Sequence, residues 1–287
     1  MGRPQLFYQP QYGALTSFST FAKSNYHAGT LSVRERWRNN YLDFNYTLSK
    51  SMDDASGLQT STGYGSAFVT NPLRQQDNYS VSDFDVRHII NINGLYQLPF
   101  GRGQWFLNDA NGLVQNILGG WQLTGIMRWN SGLPISVPFD AATWATNWNV
   151  QSWGVRTRAI DACVGSPNGG APALFGCNVT QAYQSFRSAK PGETGDRNVL
   201  RLPGYFVVDM GLGKTFAMPW SEKHNLQVRF EAFNVTNTQR MGALVGGRTG
   251  YGIVVDPFNA QPPPNWSAFG SFQGERRVMQ FGFRYEF

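Results

Sequence analysis

Residues 277–287 (RVMQFGFRYEF) alternate strictly, and this pattern narrows the choice of fold more than any other stretch of the chain. In an extended backbone Met279, Phe281, Phe283, Tyr285 and Phe287 fall on one face. Val278, Gln280, Gly282, Arg284 and Glu286 fall on the other. A soluble sheet buries its apolar face against a core, whereas a membrane barrel turns that face to lipid and its polar face to a watery lumen. The segment is as long as one membrane-crossing strand, about 9–11 residues.

Six earlier segments repeat the pattern: 26–37, 41–50, 88–98, 121–130, 205–216 and 225–235. In 41–50 the split is clean, with Leu42, Phe44, Tyr46 and Leu48 against Asp43, Asn45, Thr47 and Ser49. In 225–235, Leu226, Val228, Phe230 and Ala232 oppose Gln227, Arg229 and Glu231. The expected fold is therefore all-β, an antiparallel up-and-down meander of seven or eight long strands forming part of a larger transmembrane barrel, open in this chain.

The connections sort by side. If successive strands reverse direction, the links at 38–40, 99–120 and 217–224 fall on one rim. The long links 51–87, 131–204 and 236–276 fall on the other. Short periplasmic turns and long outer loops belong to outer-membrane barrels, and a soluble sandwich has no reason to sort its loops. The domain reading is an outer loop remnant at 1–25 followed by a partial barrel at 26–287. Bacterial single-chain barrels have even strand numbers, so either 15–21 supplies an eighth strand or the chain is the C-terminal part of a larger barrel.

Composition agrees. Charged residues are 15% and aromatics 15%, against roughly 25% charged in soluble domains. The mean hydropathy of −0.35 and the lack of any apolar run of about 18 residues exclude a helical membrane protein. The net charge of +6 is scattered apart from Arg34, Arg36 and Arg38, which argues against nucleic acid as a partner. No apolar signal-peptide core opens the chain, so an export signal is expected upstream if the protein is exported.

Motifs for chemistry are few, and no enzyme activity is expected. Gly211-Leu212-Gly213-Lys214-Thr215 resembles the end of a phosphate-binding loop, but Val208 stands where glycine is required and the stretch alternates as a strand. Lys214 then reads as a lysine snorkelling at the membrane interface. Asp53-Asp54, with Ser56 and Gly57, offers oxygen ligands, yet two adjacent aspartates read better as a solvated loop start. His27, His88 and His224 are isolated, and no metal or cofactor is implied. Cys163 and Cys177 lie close together in a loop-like stretch, which favours a disulfide over two free thiols. The inward charges Arg34, Arg36, Asp43, Arg128, Asp209, Arg229, Glu231, Arg284 and Glu286 are candidates to line the lumen, of which Arg128, Asp209, Arg229, Glu231 and Arg284 are the strongest. They are expected to pair across neighbouring strands.

Several phrases together resemble one family. They are Tyr46-Thr47-Leu48-Ser49-Lys50-Ser51-Met52-Asp53-Asp54, Asp85-Val86-Arg87-His88, Leu98-Pro99-Phe100-Gly101, Gly119-Gly120-Trp121, Ser131-Gly132-Leu133-Pro134 and Phe230-Glu231-Ala232-Phe233-Asn234-Val235-Thr236-Asn237. With the closing Gln280-Phe281-Gly282-Phe283-Arg284-Tyr285-Glu286-Phe287, this set is similar to the C-terminal barrel of Oar-like TonB-dependent receptors. The resemblance implies a 22-stranded transporter of the bacterial outer membrane with a plugged lumen. It also implies ligand uptake energised by the TonB complex through a plug that has no counterpart here. Outer-membrane lipid and the barrel-assembly machinery are the other implied partners, and Phe287 resembles the terminal aromatic that this machinery reads. The ligand is not named by the sequence. Two other readings are a self-standing small porin or adhesin, and a soluble β-sandwich binding carbohydrate through Trp144, Trp148 and Trp153. Deleting Phe287 is expected to lower the outer-membrane level of the full-length protein on immunoblots of fractionated cells. Unchanged levels would remove the assembly role from this residue.

Overall fold

An extended backbone points its N–H and C=O groups sideways, so two-faced strands are satisfied only by pairing with neighbours. The computed structural model describes residues 20, 22–56, 74–137, 153–190, 193–218, 220–242, 244, 255, 259–274 and 276–287. Of the segment 15–21 only Thr20 is among them, and Gly57, Trp144 and Trp148 also lie outside.

All seven expected strands form: β1 (Ser24–Trp37), β2 (Asn40–Asp53), β3 (His88–Gln97), β4 (Gln122–Asn130), β5 (Tyr205–Met218), β6 (Ser221–Phe233) and β7 (Val278–Glu286). They pair in chain order into one antiparallel meander, to which the short strand Ser80–Val81 adds alongside β2. The sheet is unclosed, with β1 and β7 as its edges among the described residues. Several strands outrun the alternation at their ends. β2 continues to Asp53 beside Ser24, and Met218 pairs with Ser221, leaving a two-residue turn. The β1–β2 hairpin is equally tight: Trp37 pairs with Asn40, and Arg38 takes the left-handed φ of +52°.

The register aligns like faces across the whole wall. One apolar row runs Val33, Phe44, Ile92, Met127, Val208, and the next runs Leu31, Tyr46, Ile90, Trp129, Phe206. On the β6–β7 side, Ala232 faces Met279, Phe230 faces Phe281 and Val228 faces Phe283. The Phe230 and Phe281 rings lie 4.9 Å apart. Of these side chains only Ala232 is buried, and Phe281 and Phe283 are 72% and 71% exposed. The opposite face carries the row Ser32, Asn45, Asn91, Arg128 and its neighbour Arg34, Asp43, Asn93. Ile126, Leu95 and Val207 interrupt this polar face, which is less uniformly hydrophilic than alternation alone indicates. Tyr41 also stands on the polar face, where its hydroxyl donates to Asp43 at 3.1 Å.

The buried apolar core sits in the long links, off the sheet. Ile135, Leu174, Phe175, Tyr183, Phe186 and Leu200 pack with Leu244, Val255, Trp266 and Phe269. The Trp266 ring stacks on Phe175 at 5.6 Å and meets Tyr183 edge-on at 5.3 Å. Backbone bonds from Leu174 to Ser267 and from Phe269 to Pro172 join links 131–204 and 236–276. On the other rim, the 99–120 link contains α1 (Gly112–Leu118), whose Asn111 cap accepts from the Val114 N–H at 2.9 Å.

The two faces predict opposite responses to charge. Ile92→Arg, in the middle of the lipid-facing wall, is expected to cost about 2–4 kcal/mol. Its polar-face neighbour Asn91→Arg is expected to cost much less. Denaturant unfolding of the vesicle-reconstituted full-length protein measures both.

Candidate functional site

Polar and charged side chains gather on two surfaces, the polar face of the sheet and the assembly over its long-loop rim. Arg229 and Glu231 of β6 lie on the polar face, between β5 and the edge strand β7. Arg229 stands opposite Gly213 on one side and Gly282 on the other, and Glu231 stands opposite Gly211. These glycines leave room for the two long side chains to lie along the wall. Arg229 pairs with Glu231 at 3.7 Å, and Arg284 with Glu286 at 3.0 Å. Both pairs run along their own strand, which corrects the expectation that the inward charges pair across strands. Side chains two residues apart share a face; Arg229 has glycine opposite on both sides, while across the β6–β7 pair Glu231 accepts from the Gln280 amide at 2.5 Å. Arg34 with Asp43, at 3.5 Å, is a cross-strand pair. Arg128 lies opposite Asn91 and Val207. Asp209 sits at the outer end of β5, and its carboxylate accepts the Asn234 N–H at 2.7 Å, bracing the exit of β6. Arg36 faces Tyr41 and lies 5.4 Å from the centre of its ring. Thus the candidate lumen charges share one face, and most are neutralised locally.

The outer-rim assembly is organised by residues that sequence reading passed over. Arg197, 5% exposed at its side chain, donates to Asp53 Oδ1 at 2.7 Å and to Asp83 Oδ1 at 3.2 Å. It also reaches the Asp53 carbonyl at 2.9 Å and Ser56 Oγ at 2.6 Å. Asn198 adds a bond to Asp83 at 2.8 Å. Arg201 pairs with Asp85 at 2.5 Å, and Asp85 accepts the Ser51 N–H at 2.7 Å. Asp54 accepts the N–H of Lys23 at 2.8 Å, just before β1 begins. The reading of Asp53-Asp54 as a solvated loop start is therefore wrong: both are buried, Asp53 under Arg197, which lies 144 residues away in sequence. The same guanidinium charge occupies the place a cation would need, and among the described residues no cluster of His, Cys, Asp and Glu suits a metal. Acidic residues at a strand end were the available signal, but nothing local names their partner.

Ser131 Oγ accepts the N–H groups of Arg87 and His88 at 2.9 and 3.1 Å. Gly132 is required by close approach, since a Cβ there would sit 1.6 Å from the Leu202 carbonyl oxygen. Cys163 and Cys177 are joined by a disulfide with Cα atoms 5.7 Å apart. Trp153 is buried, so it does not present the ring that carbohydrate binding would need. Phe287 follows β7, 91% exposed, with its ring 6.4 Å from Tyr285.

A cavity of about 330 Å³ opens in the loop assembly, lined by Tyr183, Phe186, Arg187, Ser188, Val255 and Asn259. That is the lower end of the range for small-molecule sites. The buried Ser188 hydroxyl has no hydrogen-bond partner among the described residues. Arg187 grips Glu193 with two bonds of 2.7 and 3.1 Å. This grip holds the Glu193 carboxyl below the usual glutamate range and raises the guanidinium pKa.

A family model described as an outer membrane beta barrel domain matches residues 2–280. No curated protein and no solved structure matches the chain.

Two outcomes follow from the rim. Arg197→Met leaves Asp53 and Asp83 buried without their cation and is expected to cost about 3–5 kcal/mol. Limited proteolysis should show links 51–87 and 131–204 cut much faster than in the parent. The Arg187–Glu193 grip acts through a depressed carboxyl pKa, so its contribution is complete above the ordinary glutamate value of about 4.3. It is lost as pH falls through the lower folded value. Hydrogen-exchange protection around Arg187 should therefore drop on acidification, and Glu193→Gln should abolish that dependence.

Proposed function

The chain belongs to the outer membrane beta barrel domain family and resides in the bacterial outer membrane, and on that premise we propose that it forms part of the wall of an Oar-like TonB-dependent receptor that imports a ligand. What supports this reading is the position of the phrases that carry the resemblance. Ser51 to Asp54, Asp85 to His88 and Ser131-Gly132 interlock at the long-loop rim through side-chain and backbone bonds. Asn234 to Asn237 turn out of β6 with left-handed φ at Asn234 and Asn237. Leu98 to Gly101 and Gly119 to Trp121 meet at the other rim, where the Leu98 N–H donates to the Trp121 carbonyl at 2.8 Å. A receptor needs such a built outer mouth more than a passive pore does, since recognition lies in loops held by a rigid scaffold.

In this reading outer-membrane lipid surrounds the apolar rows, and the barrel-assembly machinery recognises Phe287. The TonB complex acts through a plug, and the chain itself catalyses no reaction. Glu231, Arg229, Arg128 and Arg284 present a mixed-charge wall to whatever fills the lumen.

The test uses the full-length gene product. It is expected to bind the soluble periplasmic domain of TonB and to show the low conductance of a plugged barrel in planar bilayers. A large ohmic conductance with no TonB binding would overturn the reading in favour of a self-standing porin.

A further inference from the structure

One lysine lies in the wrong row. Lys214 of β5 alternates with Leu212 and Phe216 and pairs with Val228, whose other neighbour is Phe283. It therefore belongs to the lipid-facing side, where an uncompensated ammonium is costly. Its side chain is nevertheless buried. What covers it is α1: the Lys214 Nζ donates to the Asn116 carbonyl at 2.5 Å and to the Gln115 carbonyl at 3.4 Å. The Phe216 and Trp121 rings flank the ammonium at 4.6 and 5.8 Å. The Trp121 indole N–H donates to the Ile117 carbonyl at 2.8 Å. The wall thus takes up the Asn116 and Ile117 carbonyls, which the end of a helix leaves unpaired, while the Gln115 carbonyl also accepts the Gly119 N–H at 3.0 Å; a cation at a helix C-terminus is favoured.

With its C-terminal end held on the outer wall, α1 turns Leu113, Ile117 and Leu118 away from the protein. They are 75%, 63% and 48% exposed. The same link exposes Trp105 and Phe106. These side chains continue the apolar rows of the wall at the short-turn rim, where amphipathic segments meet the headgroup boundary. We infer that α1 is an interfacial membrane anchor, with Leu113, Ile117 and Leu118 inserted into the acyl region of the bilayer and Lys214 as the clasp that holds it there. The occupant of this apolar face is lipid, because the face is continuous with the lipid-facing wall. At seven residues, about 10 Å, the helix is too short to bind a membrane alone, and it works only as an outrigger of the barrel.

The test places a bimane label at Ile117→Cys in the full-length protein, reconstituted in phosphatidylcholine vesicles with brominated acyl chains. The native cysteines are disulfide-bonded and do not compete for label. Quenching at least half as strong as at Phe283→Cys on the wall is expected, with Asn91→Cys on the polar face as the unquenched control. Should Ile117→Cys fail to assemble, Leu113→Cys reads the same contact. Quenching no stronger than at Asn91→Cys would overturn the proposal, as would a label shielded by a second protein rather than by lipid. Adding Lys214→Met should bring quenching at position 117 down towards the control, and no change would overturn the clasp.

Discussion

In a bilayer nothing but the protein can satisfy a backbone N–H or C=O, and the structure depends on that constraint before any other. It makes every interior strand a donor and acceptor on both edges, which the uninterrupted pairing of β2 to β6 supplies. Once each strand lies between two neighbours, its side chains have only two environments, and period-two alternation is the sole pattern that suits both. The aligned rows from Val33 to Val208 and from Ser32 to Arg128 are this constraint expressed in register. A one-residue slip would send Arg128 into lipid and Met127 to the polar face.

The outer rim solves a different problem. Three long links leave the membrane and must be held without a sheet, and they do so in two ways. Links 131–204 and 236–276 share an apolar core around Phe175, Tyr183 and Trp266. Link 51–87 is joined to them by charge, through Arg197 and Arg201 on Asp53, Asp83 and Asp85. A buried ion pair is weak evidence for stability, because desolvation offsets most of its attraction. Its effect here is positional: Asp53 is also the last residue of β2, so the guanidinium ties the loop assembly to the end of a stave. Asp209 does similar work for β6 through the Asn234 N–H. Carboxylates at strand ends are the joints between wall and mouth.

The short-turn rim shows what happens when a charge falls on the lipid side. Lys214 would be unfavourable there by itself, and the 99–120 link supplies carbonyls to receive it. A connection longer than its neighbours on that rim thereby has a structural reason.

The sequence by itself determined the seven strands, their order, the sorting of links by rim and which residues face lipid, because strand alternation is local and each face sees one solvent. It also brought Arg128, Arg229, Glu231 and Arg284 to one face. It misjudged Asp53 and Asp54, and it passed over Arg197, Arg201 and the role of Lys214. In each of those cases the deciding partner is remote in sequence: Arg197 lies 144 residues from Asp53, and Asn116 lies 98 from Lys214. Alternation states which medium a residue needs. Only the tertiary structure decides whether another part of the chain arrives to replace that medium, because long-range charge pairing leaves no periodic trace.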